Sequence, residues 1–208
     1  PMIDRILIEI DRGLKLLSTP TKQNRDRPDK NILESSSLTT LEKKTHSKYM
    51  RVNHSGEICA QGLYRGQLFF NKNKDIESKL TEAALEEIDH LAWCESRINE
   101  LNGSKSKLNP FLYIGSFGIG AIASVVDEKY NLGFLSETES QVALHLESHI
   151  KRMNPSDKKT LKIIKSMKEE EEAHKISAVE MGGVELPNTI KKIMGLASKI
   201  MTKTTYKV

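Results

Sequence analysis

Cysteine is scarce in this chain: Cys59 and Cys94 are the two thiols in 208 residues, and neither has a CxxC or Cys/His spacing. A disulfide framework or a zinc ribbon is therefore excluded, and a reducing compartment fits. Aromatic residues make up only 5% of the chain, while Glu, Lys, Leu, Ile, Ala and Met dominate. That mixture favours helix over strand. An excess of one charge is lacking too, since the net charge is +4 and basic residues are mixed with acidic ones through the middle. This argues against a surface that tracks nucleic-acid phosphates, and no nucleic-acid partner is expected. Asp4, Glu9 and Asp11 interrupt the apolar residues of the N-terminus. No secretory h-region is present there, so the protein is expected on the cytoplasmic side. The apolar run FLYIGSFGIGAIASVV, residues 111–126, is sixteen residues long, short of the ~20 that a spanning helix needs. No 34- or 40-residue repeat suggests a solenoid. GSFGIG at 115–120 has the wrong spacing for a dinucleotide loop and sits in an apolar run, so a nucleotide fold is not expected.

What is present is helical periodicity, enough for one domain with appended segments. Ile3, Ile6, Leu7, Ile10 and Leu14 predict a short amphipathic helix. Residues 18–37, rich in Pro, Asn, Asp, Ser and Lys, read as a loop or flexible connector, so that 1–40 form an N-terminal amphipathic segment and polar linker. Long helices are predicted over 41–72, 75–101, 132–153 and 156–181. An apolar crossover, 111–126, separates the second from the third, and a C-terminal amphipathic helix, 188–201, carries Ile190, Ile193, Met194, Ala197, Ile200 and Met201 on one side. The fold class is all-α, a ferritin-like four-helix bundle over 41–208 with added amphipathic and apolar helices.

Acids interrupt the apolar stripes of these helices. On the second, Glu87 takes its place in the series Leu80, Ala84, Leu91, Cys94, Ile98 and Leu101, with His90 beside it. On the fourth, Glu171 and His174 stand among Leu161, Ile164, Met167 and Ala178. Glu139 falls among Leu132, Leu135, Val142 and Leu146, and Glu57 shares a mixed face with Gln61, Tyr64 and Leu68. The halves match: thirty residues separate Glu57 from Glu87 and thirty-two separate Glu139 from Glu171, so each half offers a lone Glu followed by Glu-x-x-His. One such motif on a Glu-rich helix usually marks a solvated face, and the run Glu169 to Glu172 alone would read so. Four buried carboxylates without partners would cost several kcal/mol per ion, against a net stability of ~5–15 kcal/mol. No Lys or Arg lies on the stripes near them, whereas two divalent cations would offset the charge. The set Glu57, Glu87, His90, Glu139, Glu171 and His174 is that of a di-iron or di-manganese carboxylate centre, with oxygen and imidazole ligands and no thiolate. Glu86 and Glu170 compete for the ligand positions, and are assigned instead to orient an imidazole.

RVNHSGEICAQGLYRGQ (51–67), EEIDHLAWCESRINEL (86–101), ETESQVALHLESHI (137–150) and MKEEEEAHK (167–175) together resemble the demethoxyubiquinone hydroxylases of ubiquinone biosynthesis. The resemblance runs from about residue 45 to the C-terminus. It implies a pair of irons on the six residues above, with Glu87 and Glu171 bridging, and a substrate or proton role for His145. It also implies hydroxylation of a polyprenylated methoxy-benzoquinol by O2 and NADH as reductant, with Ile58, Leu91, Val142 and Leu146 shaping a dry pocket. Ground-state O2 reacts poorly with closed-shell carbon, and the metal pair supplies the electrons. A bilayer-resident substrate would give the 188–201 helix and the 111–126 run a place in one leaflet. Lys191, Lys192, Lys199 and Lys203 would then meet anionic headgroups, in a peripheral protein on the cytoplasmic side of the inner membrane. Gly115, Gly118, Gly120 and Ala121 would also allow close contact with a second copy or a biosynthetic partner. An iron-storage protein of the same bundle is the alternative, and would show itself as a large soluble cage; a manganese catalase would dismutate peroxide without turning over quinone.

Overall fold

The computed structural model describes residues 2–208, and among these the regular structure is helical throughout. The described residues form seven helices: α1 (Met2–Ser18), α2 (Thr40–Phe70), α3 (Lys74–Glu100), α4 (Asn109–Val126), α5 (Glu128–Arg152), α6 (Lys158–Glu180) and α7 (Asn188–Thr205). α2 and α3 form one antiparallel pair and α5 and α6 the other, closing the four-helix bundle, while α4 lies along the outside of α2.

Local chemistry sets the ends of the long helices. Thr39 and Glu42 form a capping box at the start of α2, and the Asn73 side chain accepts the Asp75 amide at the start of α3. Asp157 does the same for Thr160 in α6, which ends where Gly182 takes φ +99° and the Gly183 amide returns to the Ala178 carbonyl. α5 starts at Glu128, four residues ahead of the expected 132, because Asp127 ends α4 and its side chain at once caps α5 through the Lys129 amide. The polar residues 128–131 hide that first turn from an apolar stripe.

The crossover is α4, extended to 18 residues by Asn109 and Pro110. It is long and apolar enough to be a candidate span, yet it packs side-on against α2. That contact is backbone to backbone: a Cβ on Gly66 would overlap the Phe117 carbonyl, and one on Gly120 the Leu63 carbonyl. Thus Gly120 and Ala121 meet α2 of the same chain, whereas Gly115 and Gly118 have no neighbour where a Cβ would stand. The GSFGIG stretch is helical, with no phosphate-type loop.

Two apolar clusters fill the bundle. Met50, Trp93, Cys94, Ile98, Leu146, Met153, Ile163, Ile164 and Met167 pack at one end, and Ala60, Tyr64, Ile76, Leu80, Leu132, Leu135 and Ala178 at the other. On each of α2, α3, α5 and α6 the acid positions fall between the residues given to the two clusters, so a polar layer separates them. The connector after α1 is irregular but fixed by ion pairs, Arg25 to Asp89, Arg27 to Asp29 and Glu100, and Glu34 to Arg97.

Candidate metal centre

The polar layer holds all six residues singled out by the stripes. Glu57, Glu87, His90, Glu139 and Glu171 are at most 2% exposed, and the His174 side chain 10%. Ligating atoms of Glu57, Glu87, His90 and Glu171 all lie within 4.8 Å of one another. Both imidazoles turn Nδ1 inward. His90 Nδ1 is 2.9 Å from Glu87 Oε2 and 3.4 Å from Glu171 Oε1, while His174 Nδ1 is 3.1 Å from Glu87 Oε1 and 3.8 Å from Glu171 Oε2. Glu87 and Glu171 therefore stand between the two rings. Glu57 lies against Glu87 and Glu139 against Glu171.

The outward nitrogens are held crosswise. His90 Nε2 meets Glu170 Oε2 of α6 at 3.1 Å, and His174 Nε2 meets Glu86 Oε2 of α3 at 2.7 Å. A carboxylate on the far nitrogen fixes ring orientation and raises the basicity of the near one. Tyr64, whose signal was its place on the Glu57 face, donates to Glu139 Oε1 at 2.7 Å.

Protons alone balance this layer poorly. Burial, then the Glu87 and Glu171 charges, push Glu57 well above the usual carboxylate range, and Glu139 rises for the same reasons. Burial also opposes the charge on Glu87, but His90 and His174 hold it well below that range. The rings respond in kind: against burial, the surrounding carboxylates raise His90 well above its ordinary value and His174 to about 12. Even so, Glu87 Oε1, Glu139 Oε2, both oxygens of Glu171 and His174 Nδ1 are buried without a hydrogen bond. Orphaned acceptors of this kind are costly. A pair of divalent cations fits them, with the carboxylates ionised and the imidazoles neutral.

His145 stands apart. It has no bond to the six; its ring packs edge-on against His149 at 4.1 Å, and burial with the Arg152 charge lowers it to about 4. The expected pocket residues are packing residues: Ile58 and Leu91 contact Tyr113, and Val142 and Leu146 belong to the Met50 cluster. A cavity of about 760 Å³ lies elsewhere, between α1, the connector, α2, α3 and Tyr113. Its wall includes Gln61, one turn beyond Glu57, and Ala84 and Ile88, which flank Glu87. A second cavity of about 410 Å³, lined by Ile10, Leu14, Phe69, Ile114 and Phe117, shares Tyr113 with it.

Residues 44–205 match the family described as ubiquinone biosynthesis protein COQ7. A protein of Nitrosospira multiformis named 3-demethoxyubiquinol 3-hydroxylase is 47% identical over 206 residues, covering 99% of each chain. Proteins of the same name from Chromobacterium violaceum and Legionella pneumophila are 44% identical over 207 residues and 45% over 206, the first covering all of both chains and the second 98% of this one and 96% of its own. With a buried Glu/His layer at the positions that the motifs predict and a match over most of its length, the chain belongs to the COQ7 family of ubiquinone biosynthesis proteins.

Proposed function

We propose that this protein is a di-iron monooxygenase that hydroxylates a polyprenyl methoxy-benzoquinol, a 3-demethoxyubiquinol 3-hydroxylase. The observation that carries the reading is the set of buried, unsatisfied carboxylate oxygens facing two inward Nδ1 atoms in a chain whose full-length relatives bear that name. Glu57, Glu87, His90, Glu139, Glu171 and His174 are the residues we assign as ligands. Glu87 and Glu171, each near both imidazoles, suit the bridging positions, and Glu57 and Glu139 the terminal ones. A bound iron pair supplies the electrons that O2 needs and that side chains cannot provide.

The chain's own residues do the rest. Glu86 and Glu170 keep the rings aimed inward, and Tyr64 holds one oxygen of Glu139, so the ligand geometry is set before substrate arrives. We place the quinol ring in the larger cavity and its isoprenoid tail in the apolar one, Tyr113 standing where they adjoin. NADH is the reductant we carry over from the family resemblance. For His145, whose ring touches His149 and not the metal layer, the substrate or proton role is carried over from the family resemblance.

The apolar cavity lies beside helices with bare apolar residues, Ile3, Ile6 and Leu7 of α1 and Phe111, Ile114 and Ile122 of α4, and Ile193, Leu196 and Ile200 of α7 are exposed as well. Such a surface suits one bilayer leaflet, with the lysines of α7 at the headgroups, and peripheral attachment at the inner membrane. The outward face of α4 is also where a second copy or a biosynthetic partner would dock. Deleting 188–208 should weaken binding to vesicles of anionic lipid in a sedimentation assay; unchanged binding would remove α7 from the membrane surface.

The test of the activity is turnover of a short-chain demethoxyubiquinol under labelled O2 with the iron-loaded protein. One labelled oxygen should appear in the product ring. Iron-loaded protein that yields none, or that assembles into a large iron-filled cage, would contradict the reading.

A further inference from the structure

The two inward imidazoles have matching carboxylates on their outer nitrogens, but those carboxylates are not held alike. Glu86, on His174, has a 38% exposed side chain and no Lys or Arg partner among the described residues. Glu170, on His90, receives Arg25 Nη2 at 2.7 Å from the connector that follows α1. Arg25 is anchored a second time by its Nε, which donates to Asp89 Oδ2 at 2.7 Å. Asp89 is buried, directly precedes His90 on α3, and also accepts the backbone amides of Asn24 and Arg25. The guanidinium lies over the Trp93 ring, 5.2 Å from its centre, and Trp93 in turn packs beside the His90 ring at 5.4 Å. One connector residue thus grips both helices that carry a Glu-x-x-His motif.

We propose that Arg25 is a positioning residue for the metal centre: through Glu170 it fixes the ring of His90, so that one metal position depends on the docked connector while the His174 position does not. The inference rests on reading the six residues as ligands. Without Arg25, Glu170 keeps only the long Ser166 hydroxyl contact, 3.5 Å to its other oxygen, besides the imidazole itself, so His90 Nε2 is held by a partly exposed carboxylate with no cation to fix it. A guanidinium is needed because two separate N–H groups, Nε and Nη2, serve two carboxylates at once; an ammonium at position 25 reaches one of them well and the other poorly. Thr19, Pro20, Thr21 and Lys22 of the same connector wall the larger cavity, so the segment that steadies His90 also borders the substrate site proposed above.

The test is anaerobic titration of metal-free, full-length protein with Fe(II), comparing wild type, Arg25→Gln, Arg25→Lys and His90→Ala. Loss of a carboxylate that orients a ligand typically costs 10–100-fold in metal affinity. In Arg25→Gln one of the two affinities should fall by that order and the other stay, with Arg25→Lys in between. Two unchanged affinities, or two that fall together, would overturn the proposal. His90→Ala separates the two layers of inference: if it loses an ion while Arg25→Gln loses nothing, the positioning role fails alone, and if it keeps both ions, the ligand reading fails and takes this proposal with it.

Discussion

Arg97, near one end of the bundle, and Glu171, in its middle, are both charged and both buried, yet their surroundings differ in kind. Arg97 spends its guanidinium completely: Nε donates to Thr160 Oγ1, Nη2 to Asp157 Oδ1, and Nη1 to Glu34 and Glu100. Asp157 is closed from its other side by His46 Nδ1 at 2.7 Å. Against the cost of burial, His46, Thr160 and Arg97 hold Asp157 down to about 2, and Arg27 followed by Arg97 does the same for Glu100. Glu171 has no cationic side chain except the imidazoles and leaves both oxygens without a hydrogen bond. Buried charge that the chain closes with its own groups is architecture; buried charge left open points to something the chain has yet to bind.

This contrast makes opposite predictions for the two regions. Arg97→Ala strips a buried, fully used cation and leaves Asp157 with only His46 and Thr160, which should cost about 3–5 kcal/mol in urea unfolding. The fraction that stays folded should still bind metal in the usual ratio, and a loss of metal without a loss of stability would break the comparison. Glu171→Ala should have the smaller effect on the metal-free protein, since the carboxylate it removes attracts the two imidazoles but repels Glu57 and Glu139, so that its loss takes away strain along with attraction. It should nonetheless abolish hydroxylation in the turnover assay. A Glu171→Ala protein that unfolds more readily than Arg97→Ala, or that retains activity, would reverse the assignment.

The middle region was the more legible of the two in sequence. Glu87, Glu139 and Glu171 each sit where a helical stripe calls for an apolar residue, and periodicity alone turns them inward. The crosswise pairing of Glu86 with His174 and Glu170 with His90 was not legible, because it depends on the register between α3 and α6 and not on spacing within either. Arg25, Asp89 and Arg97 gave no signal either. Their partners lie some sixty or more residues away, and a loop with no period carries nothing to say where it docks. Likewise Gly115, Gly118, Gly120 and Ala121 of α4 were visible as small residues, but which face they would join is decided by the close backbone approach of Gly120 to α2, where Gly66 had given no signal.

What separates the two regions most directly is the metal content of the folded protein. Purified under anaerobic conditions with excess Fe(II) and then desalted, wild-type protein should retain about two irons per chain, the number that offsets four buried carboxylates. Glu171→Ala handled the same way should retain fewer. A folded, monodisperse wild type that holds no iron, or a Glu171→Ala protein that holds as much as wild type, would contradict the claim that the open carboxylates of the middle layer exist to bind a metal pair.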